Sequence, residues 1–221
     1  MNKDTLIFDL DGTLLNTLED LHAGFNYALK ICGYKERSLE EIRSFVGNGI
    51  RKAIERALPE GIDEKETDKI VNIFKEYYKG HMHIYTKPYE GIVPMLIELK
   101  EKGFKLGVVS NKFDDAVKGL CGTYFNNLIE KAVGEGHGID KKPDPKGVFT
   151  VVKQLDSSIE KTIYIGDSEV DIQTAQNAGV PCISVLWGFK DKDFLISNGA
   201  KLFANTPQDI IKIIEKKNYL S

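Results

Sequence analysis

Short runs of apolar residues recur along the chain and alternate with longer stretches of mixed polarity. Four runs predict buried strands, at residues 5–8, 105–109, 162–165 and 181–185, and a weaker fifth run lies at residues 201–204. Runs without polar alternation are typical of strands that are covered on both faces, as in a parallel sheet. The pattern therefore predicts a sheet of at least four parallel strands.

Stretches of helical periodicity follow these runs. Apolar residues at positions 93, 96, 97 and 99 predict a helix that ends near Gly103. Asp-Pro at 144–145 and Thr-Pro at 206–207 predict the starts of two more helices, which extend to about residues 155 and 217. Because strands and helices alternate, we predict an α/β fold with a doubly wound, Rossmann-like parallel sheet.

The segment of residues 15–86 departs from this alternation. Helical periodicity covers residues 18–31, a stretch that begins at the Ser38–Glu41 capping box, and residues 66–79, and no clear strand pattern is present. So much helix is too long for a loop. We therefore predict an α/β core formed by residues 1–14 and 87–221, and an inserted all-helical cap domain formed by residues 15–86.

Composition narrows the class of protein. The 221 residues are 42% apolar and 29% charged, with a formal net charge of -3. A nucleic-acid-binding surface leaves a basic footprint, so we expect no nucleic-acid partner. No run of about 18 apolar residues is present, so we expect no membrane span. Three widely spaced cysteines suit reduced thiols and indicate a cytoplasmic protein. The sequence leaves the oligomeric state open.

Acidic residues follow the first and third predicted strands, where ligands bind in open α/β sheets. Asp9 and Asp11 lie two residues apart, and Gly12 with Thr13 allows a tight turn whose N–H groups can hold an anion. Asp-Gly is also a common turn dipeptide, so a polar turn without function is the alternative.

After the third predicted strand, Asp171 lies one helical turn beyond Asp167 and on the same side. Carboxylates in such an arrangement suit Mg²⁺, which prefers oxygen ligands. The alternative is that Ser168 and Asp171 form a capping box, and both interpretations can hold at once.

Uncharged polar groups and a lysine complete the pattern. Ser110 and Asn111 follow the second predicted strand and can hydrogen-bond phosphoryl oxygens, although Ser-Asn is also ordinary turn chemistry. Lys142 lies in a Lys-Lys-Pro-Asp-Pro segment before a predicted helix, where its charge can neutralise a bound phosphate. A solvated basic turn is the alternative for this segment.

In their order and placement, these four segments resemble the motifs of the haloacid dehalogenase superfamily, and the resemblance covers essentially the whole chain. It implies that Asp9 is the nucleophile that forms an aspartyl phosphate, and that Asp11 is the general acid and then the base. Ser110 and Lys142 would bind the phosphoryl group as catalytic residues. Dehalogenases of the superfamily lack the second aspartate, so Asp11 indicates phosphoryl transfer.

The resemblance also implies a cofactor. Mg²⁺ would be held by Asp9, the backbone carbonyl of Asp11, and Asp167, with Asp171 supporting through a water or the outer shell. Gly12, Thr13 and Asn111 would contribute to substrate binding, and the partner would be a small phosphate ester.

Specificity is expected from the helical segment. Two glycines around Asn48 break the helical pattern at residues 45–51, and Arg51 can pair with a carboxylate. An interhelix turn followed by a surface arginine is the alternative. This stretch resembles the cap of bacterial phosphoglycolate phosphatases, and residues 88–91, 110–112 and 185–188 also resemble those enzymes. The resemblance implies 2-phosphoglycolate as the leading substrate. Pyrophosphate, nucleotides or sugar phosphates as substrates, a phosphomutase, and a non-catalytic binding protein are the other possibilities.

Overall fold

A computed structural model describes residues 3–136 and 138–216 of the chain. The chain divides into two compact units, one formed by Met1–Leu15 with Pro88–Ser221 and the other by Asn16–Lys87. These divisions lie close to the predicted boundaries at residues 14 and 87. That the second unit serves as a cap stays a prediction.

The strands of the first unit form a six-stranded sheet in the order β5-β4-β1-β6-β7-β8, and every neighbouring pair is parallel. The two remaining strands, β2 and β3, pair with each other where the chain leaves and re-enters the first unit. The strands are β1 (Thr5–Phe8), β2 (Leu15–Asn16), β3 (Lys87–Pro88), β4 (Lys105–Phe113), β5 (Lys131–Glu135), β6 (Thr162–Gly166), β7 (Cys182–Val185) and β8 (Leu202–Ala204).

The sheet changes direction of winding at β1. From β1 the chain proceeds to β4 and β5 on one side, and it returns to β6, β7 and β8 on the other. Phe8, at the end of β1, pairs with Val108 of β4 and with Ile165 of β6. The carboxyl ends of these three strands therefore meet at a topological switch point, where ligands bind in doubly wound folds. The predicted fold class is confirmed.

The second unit is all helical apart from its terminal strand residues, over the part of the chain that the structure describes. Phe25 and Phe74 pack edge to face with ring centroids 5.1 Å apart, which joins the first and last helices through a buried aromatic contact. The helices are α1 (Leu18–Ile31), α2 (Leu39–Phe45), α3 (Ile50–Ala57) and α4 (Glu64–His81). The sequence pattern predicted three of them and missed α3, which is short and follows the Gly47–Gly49 break.

The helices of the first unit alternate with its strands along the chain, and α10 follows the last strand. They are α5 (Ile92–Glu101), α6 (Asp114–Tyr124), α7 (Lys146–Gln154), α8 (Glu169–Ala178), α9 (Lys192–Ser197) and α10 (Pro207–Glu215). The predicted end of the last helix, near residue 217, lies outside the described residues. Helix α7 begins at Lys146, one residue later than its Asp-Pro signal predicted.

Two differences from the predicted strands affect the functional site. Strand β4 continues past Val109 to Phe113, so residues 110–112 lie in the strand and not in a turn after it. Strand β5 was not predicted, because it is an edge strand whose buried residues are few. A polar strand end and a short edge strand both lack the apolar run that marks a buried strand.

In the described part of the chain, no helix is both long enough and apolar enough to cross a membrane. Cys32, Cys121 and Cys182 are free thiols. The cytoplasmic location and the lack of a nucleic-acid partner stay predictions.

Candidate active site

The turn after β1 holds the first two aspartates. The Asp9 N–H donates to the Ile165 carbonyl of β6 at 2.8 Å, which continues the sheet by one residue. The chain then folds back tightly, because the Leu10 carbonyl accepts the N–H groups of Leu14 and Leu15 at 3.0 and 2.9 Å. This turn buries Asp9 and leaves the Asp11 side chain partly exposed at its rim.

Asp167, directly after β6, is held by groups from two other segments. Thr13 Oγ1 donates to Asp167 Oδ1 at 3.3 Å, and the Phe189 N–H donates to Oδ2 at 2.7 Å. Gly12, at φ 88°, and Gly188 press their backbones against this carboxylate, where an added side chain would overlap it. Asp167 is therefore fixed before any ligand binds.

Gly12 and Thr13 thus contribute differently from the expectation. The Gly12 N–H donates to the Leu15 carbonyl at 2.9 Å, so it closes the turn, and the Thr13 hydroxyl faces Asp167. Both residues lie at the site, as predicted, but their contacts support the turn and the Asp167 carboxylate. A substrate contact for either residue stays a prediction.

The loop after β7 braces the same turn. Trp187 Nε1 donates to the Thr13 carbonyl at 2.9 Å, and Phe189, two residues on, holds Asp167. The sequence supported only a family resemblance for this loop. A lone tryptophan beside a glycine after a buried strand is the signal that could have suggested a role in packing against the first turn.

Lys142 lies between two carboxylates. Its Nζ is 2.7 Å from Asp9 Oδ1 and 2.7 Å from Asp171 Oδ1, and its side chain is only 3% exposed. Burial alone would lower the pKa of Lys142, but the negative charges of Asp171 and Asp9 outweigh it and raise the pKa well above its usual value. Lys142 therefore remains a cation that is directed at Asp9, and the alternative of a solvated basic turn is wrong for this side chain.

Asp171 is saturated with protein partners. Lys142 Nζ and the Tyr164 hydroxyl lie 2.7 and 3.1 Å from Oδ1, while the Ser168 N–H and hydroxyl donate to Oδ2 at 3.1 and 2.6 Å. Asp171 therefore stabilises the start of α8 and holds Lys142 at the same time. The capping-box interpretation of the Ser168–Asp171 pair is confirmed, and a role of Asp171 at a metal ion stays a prediction. Tyr164, which sequence reasoning missed, carries its polar group within an otherwise apolar strand.

The polar end of β4 supplies Ser110 and Asn111. Ser110 Oγ accepts the Lys112 N–H at 3.2 Å, which orients the hydroxyl. The Asn111 amide binds the backbone of Lys142 at both ends: Nδ2 donates to the Lys142 carbonyl at 3.2 Å and Oδ1 accepts its N–H at 2.7 Å. Asn111 therefore holds Lys142 in place, and its predicted contact with the substrate stays a prediction.

Lys112 is the clearest residue that sequence reasoning missed. Its Nζ lies 2.9 Å from Oδ1 and 3.1 Å from Oδ2 of Asp11, and its side chain is almost fully buried. Sequence reasoning assigned Lys112 no role of its own, because nothing near it along the chain indicates its contact with Asp11.

The carboxylates form an electrostatic cluster that fits a divalent metal ion. Asp9, Asp167 and Asp171 each offer an oxygen, and these oxygens lie within 4.8 Å of one another. Burial raises the pKa of Asp9 well above its ordinary value against the opposing charge of Lys142. Burial and the charge of Asp171 raise the pKa of Asp167 to about 7. Added positive charge would relieve this cost, and hard oxygen donors suit Mg²⁺.

The candidate residues of the helical unit have more exposed surroundings. Asn48 lies between Gly47 and Gly49, both at positive φ, immediately before α3. Arg51, in the first turn of α3, forms an ion pair with Asp68 of α4, and its Nε lies 3.4 Å from Glu55 Oε1. Its side chain is 34% exposed. Whether Asn48 and Arg51 bind substrate stays a prediction.

Comparisons with known proteins agree with this geometry. The family model of haloacid dehalogenase-like hydrolases matches residues 6–185. A phosphoglycolate phosphatase of Aquifex aeolicus is 31% identical over 216 residues, covering 95% of this chain and 96% of the relative. A phosphoglycolate phosphatase of Colwellia psychrerythraea is 33% identical over 196 residues, covering 85% and 86%.

Among solved structures, a Lactobacillus delbrueckii subsp. bulgaricus protein, itself assigned by inference as a phosphoglycolate phosphatase, shares 36% identity and a TM-score of 0.92. The match covers 97% of this chain and 99% of that one. The matched region contains all four of the motif segments described above. The chain belongs to the haloacid dehalogenase-like hydrolase family and is a phosphatase enzyme.

Proposed function

We propose that the chain is a Mg²⁺-dependent phosphatase that hydrolyses a small phosphate monoester through an aspartyl phosphate on Asp9. The observation that carries this proposal is the buried Lys142 ammonium, 2.7 Å from both Asp9 and Asp171 at the switch point of the sheet. A carboxylate that is buried, aimed by a fixed cation and placed where ligands bind has the features of an activated nucleophile.

In the first half-reaction, an Asp9 oxygen bonds to phosphorus and the ester P–O bond breaks. The electron pair goes to the leaving oxygen, which takes a proton from Asp11. A phosphate dianion repels a carboxylate by about 4 kcal/mol per pair of unit charges at 4 Å and an effective dielectric constant near 20. Lys142 offsets this repulsion, and the oriented Ser110 hydroxyl donates to a phosphoryl oxygen.

In the second half-reaction, a water oxygen bonds to phosphorus and the P–O bond to Asp9 breaks. The electron pair returns to the Asp9 carboxylate, phosphate leaves, and the proton of the water passes to Asp11. Asp11 thus ends in the protonation state that the next cycle requires. A single residue can serve both steps because the leaving alcohol and the incoming water occupy the same side of phosphorus.

The residues that would hold Mg²⁺ are Asp9, the backbone carbonyl of Asp11, and Asp167. When bound, the ion supplies positive charge to the phosphoryl oxygens and lowers the repulsion between phosphate and the carboxylates. Asp167 is suited to this role because Thr13 and the Phe189 N–H fix its orientation. Asp171 would support the metal site without binding the ion directly, because its oxygens already accept hydrogen bonds from protein donors.

The leading substrate is 2-phosphoglycolate, supported by the names of the relatives and by the resemblance at residues 45–51. A carboxylate on the substrate would suit Arg51, which would exchange one of its ion-pair partners on binding. Pyrophosphate, nucleotides and sugar phosphates would use the same core residues, so the choice among them is a matter for direct comparison.

Phosphate release from a panel of esters tests the proposal. The panel holds 2-phosphoglycolate, pyrophosphate, nucleoside monophosphates and hexose phosphates, each with Mg²⁺ and with EDTA. Asp9→Asn is the test variant, and Asp4→Asn is the matched control, since Asp4 precedes β1 at the opposite end and pairs with Lys161 at 3.4 Å. We expect Mg²⁺-dependent release that is greatest for 2-phosphoglycolate, lost in Asp9→Asn and kept in Asp4→Asn.

Other outcomes would contradict the proposal. Turnover by Asp9→Asn at the wild-type rate would exclude Asp9 as the nucleophile. Folded protein that isomerises a sugar phosphate with little release of phosphate would be a mutase, and folded protein that acts on no ester would favour a binding role.

A further inference from the structure

We propose that Lys112 is a positioning residue that holds the Asp11 carboxylate in place for hydrolysis of the phospho-aspartate. This inference rests on the proposed function and adds a role for Lys112, a residue to which the sequence assigned none. It comes from the contact between the two side chains and from the position of Lys112 in β4.

The contact is two-pronged. Lys112 Nζ lies 2.9 and 3.1 Å from the two oxygens of Asp11, so a single ammonium engages both ends of the carboxylate. The Lys112 side chain is 1% exposed, whereas that of Asp11 is 20% exposed. The buried lysine is therefore the fixed partner, and the carboxylate at the rim is the group that it restrains.

The extension of β4 explains why Lys112 reaches Asp11. Phe8, the last residue of β1, pairs with Val108, yet β4 continues to Phe113. Residues 110–112 therefore run alongside the turn that carries Asp9 and Asp11. Since side chains alternate along a strand, consecutive residues of this extension can serve different parts of the site.

The three residues of this extension do have three different partners. Ser110 presents a hydroxyl that the Lys112 N–H orients, Asn111 binds the backbone of Lys142, and Lys112 binds Asp11. Asn111 and Lys112 thus act in parallel, each holding a residue that carries charge to the reaction. The polar end of β4 therefore holds in place both Lys142, the cation of the site, and Asp11, its proposed base.

The step that depends most on this restraint is the second half-reaction. A water oxygen bonds to phosphorus, the P–O bond to Asp9 breaks with its electron pair returning to Asp9, and the proton of the water passes to Asp11. The Asp11 oxygen must point at the water for this transfer. Without Lys112, a partly exposed carboxylate would rotate among several orientations and spend less time in the productive one.

Lys112→Met, which keeps the length and apolar volume of the side chain, tests this role. We expect kcat to fall by about 100-fold, since small misplacements of a reacting group have effects of that order. Because hydrolysis of the phospho-aspartate becomes slower than its formation, acid-quenched enzyme should carry more phosphoryl group than wild type during turnover. A purely structural role would lower activity without raising this phosphorylated fraction.

Lys105→Met is the matched control. Lys105 begins the same strand, and its Nζ donates to the Leu155 and Asp156 carbonyls at 2.7 Å, far along β4 from Asp11. We expect the control to keep the wild-type kcat and phosphorylated fraction. If Lys112→Met does not fold, Lys112→Gln retains an uncharged NH₂ donor group and should show the same changes to a smaller extent.

A double-mutant cycle with Asp11→Asn, followed in single turnovers of p-nitrophenyl phosphate, separates action through Asp11 from independent action. In the Asp11→Asn background, Lys112→Met should lower the rate of phosphate release by less than about a further twofold. Independent losses that multiply would overturn the proposal, as would an unchanged kcat or an unchanged phosphorylated fraction in folded Lys112→Met. These outcomes require an active wild type, whereas a wild type without phosphorylation of Asp9 would refute the proposed function itself.

Discussion

The carboxyl edge of the sheet and the stretch around Arg51 treat their charged groups in opposite ways. At the edge, Asp9, Asp167 and Lys142 are buried, and each is held by bonds from other segments. In the helical unit, Arg51 is 34% exposed and its partner Asp68 is 58% exposed. Exposed ion pairs contribute about 0–1 kcal/mol, whereas breaking a buried pair costs about 3–5 kcal/mol.

The difference shows what each region can do. Buried charges with fixed partners suit one reaction geometry, because reorienting them is costly. Exposed pairs exchange partners at little cost, which suits a residue that must release one carboxylate to bind another. Burial therefore distinguishes Asp9, Lys142 and Asp167 from surface charges, but it gives no comparable signal for residues that select the substrate.

The largest effect is expected for Lys142→Met. Its removal leaves Asp9 and Asp171 buried without their cation, so we expect the free energy of unfolding of EDTA-treated protein to fall by about 3–5 kcal/mol at pH 8. Burial already raises the pKa of Asp9, and loss of Lys142 raises it further. Asp9 becomes protonated as the pH falls, so the loss of stability should be smaller at pH 5.

Urea unfolding of both proteins at the two pH values measures this change. Lys146→Met is the control, because Lys146 pairs with Asp140 at 3.1 Å on the exposed surface. We expect the control to lose less than about 1 kcal/mol at either pH. Equal effects of the two substitutions would remove the contrast between buried and exposed pairs.

The next effect concerns Mg²⁺ and pH. Asp167 has a folded-state pKa raised from 3.8 to about 7, so without metal the protein loses stability as the pH rises from about 4 to 7. Mg²⁺ binds the ionised form, so its stabilisation should grow across this window, to about 2.7 kcal/mol at a hundredfold excess over Kd. Thermal unfolding with and without Mg²⁺ at pH 5 and pH 8 measures it.

Asp167→Asn is the variant that checks the source of this effect. It should remove most of the stabilisation by Mg²⁺ and most of its pH dependence. An equal effect of Mg²⁺ at both pH values, or an effect that persists in Asp167→Asn, would show that the ion acts elsewhere.

The helical unit also contains a buried carboxylate, Asp20, whose hydrogen bonds give it a structural role and not a catalytic one. Asp20 is 2% exposed and accepts the N–H groups of Tyr85 and Thr86 at 3.0 and 2.8 Å. Asp20→Asn replaces one acceptor oxygen by a donor, so we expect a loss of about 1–3 kcal/mol in the free energy of unfolding. Urea unfolding should show no such loss for the exposed neighbour, Glu19→Gln, and equal losses would contradict this assignment.

The smallest effect on stability is expected for Arg51→Ala, which should change the free energy of unfolding by less than about 1 kcal/mol. If Arg51 binds the substrate carboxylate, KM for 2-phosphoglycolate should rise about tenfold, since a hydrogen bond to a charged group contributes about 1.5–3 kcal/mol. KM for ethyl phosphate, which has no carboxylate, should stay unchanged. Steady-state kinetics with Lys52→Ala as control measures both, and equal increases for the two esters would exclude the role.

The fold class and most of the residues at the sheet edge could be predicted from the sequence. Buried parallel strands leave apolar runs, and the residues that follow them must meet at one edge of the sheet. Asp9 and Asp167 could be placed there for this reason, whereas Lys142 was placed at the site by its resemblance to a family motif. Strand β5 and helix α3 could not be predicted, because an edge strand and a two-turn helix after glycines leave little pattern.

The partners of the site residues could not be predicted, since they depend on contacts between distant segments. Asn111 was expected to contact the substrate, and its hydrogen bonds to the backbone of Lys142 could not be foreseen from the sequence. Lys112 lies 101 positions from Asp11, and nothing local to either residue indicates their contact. Spacing along the chain shows which chemical groups are available, whereas the register of β4 against β1 decides which of them meet.

The central claim is that Asp9 carries the phosphoryl group during turnover. The direct measurement is mass spectrometry of enzyme that is quenched in acid while it hydrolyses 2-phosphoglycolate with Mg²⁺. The account predicts one added phosphoryl group on the peptide that contains Asp9, removable by hydroxylamine and absent from Asp9→Asn. Rapid release of phosphate with no label on Asp9, under conditions that trap acyl phosphates, would contradict it.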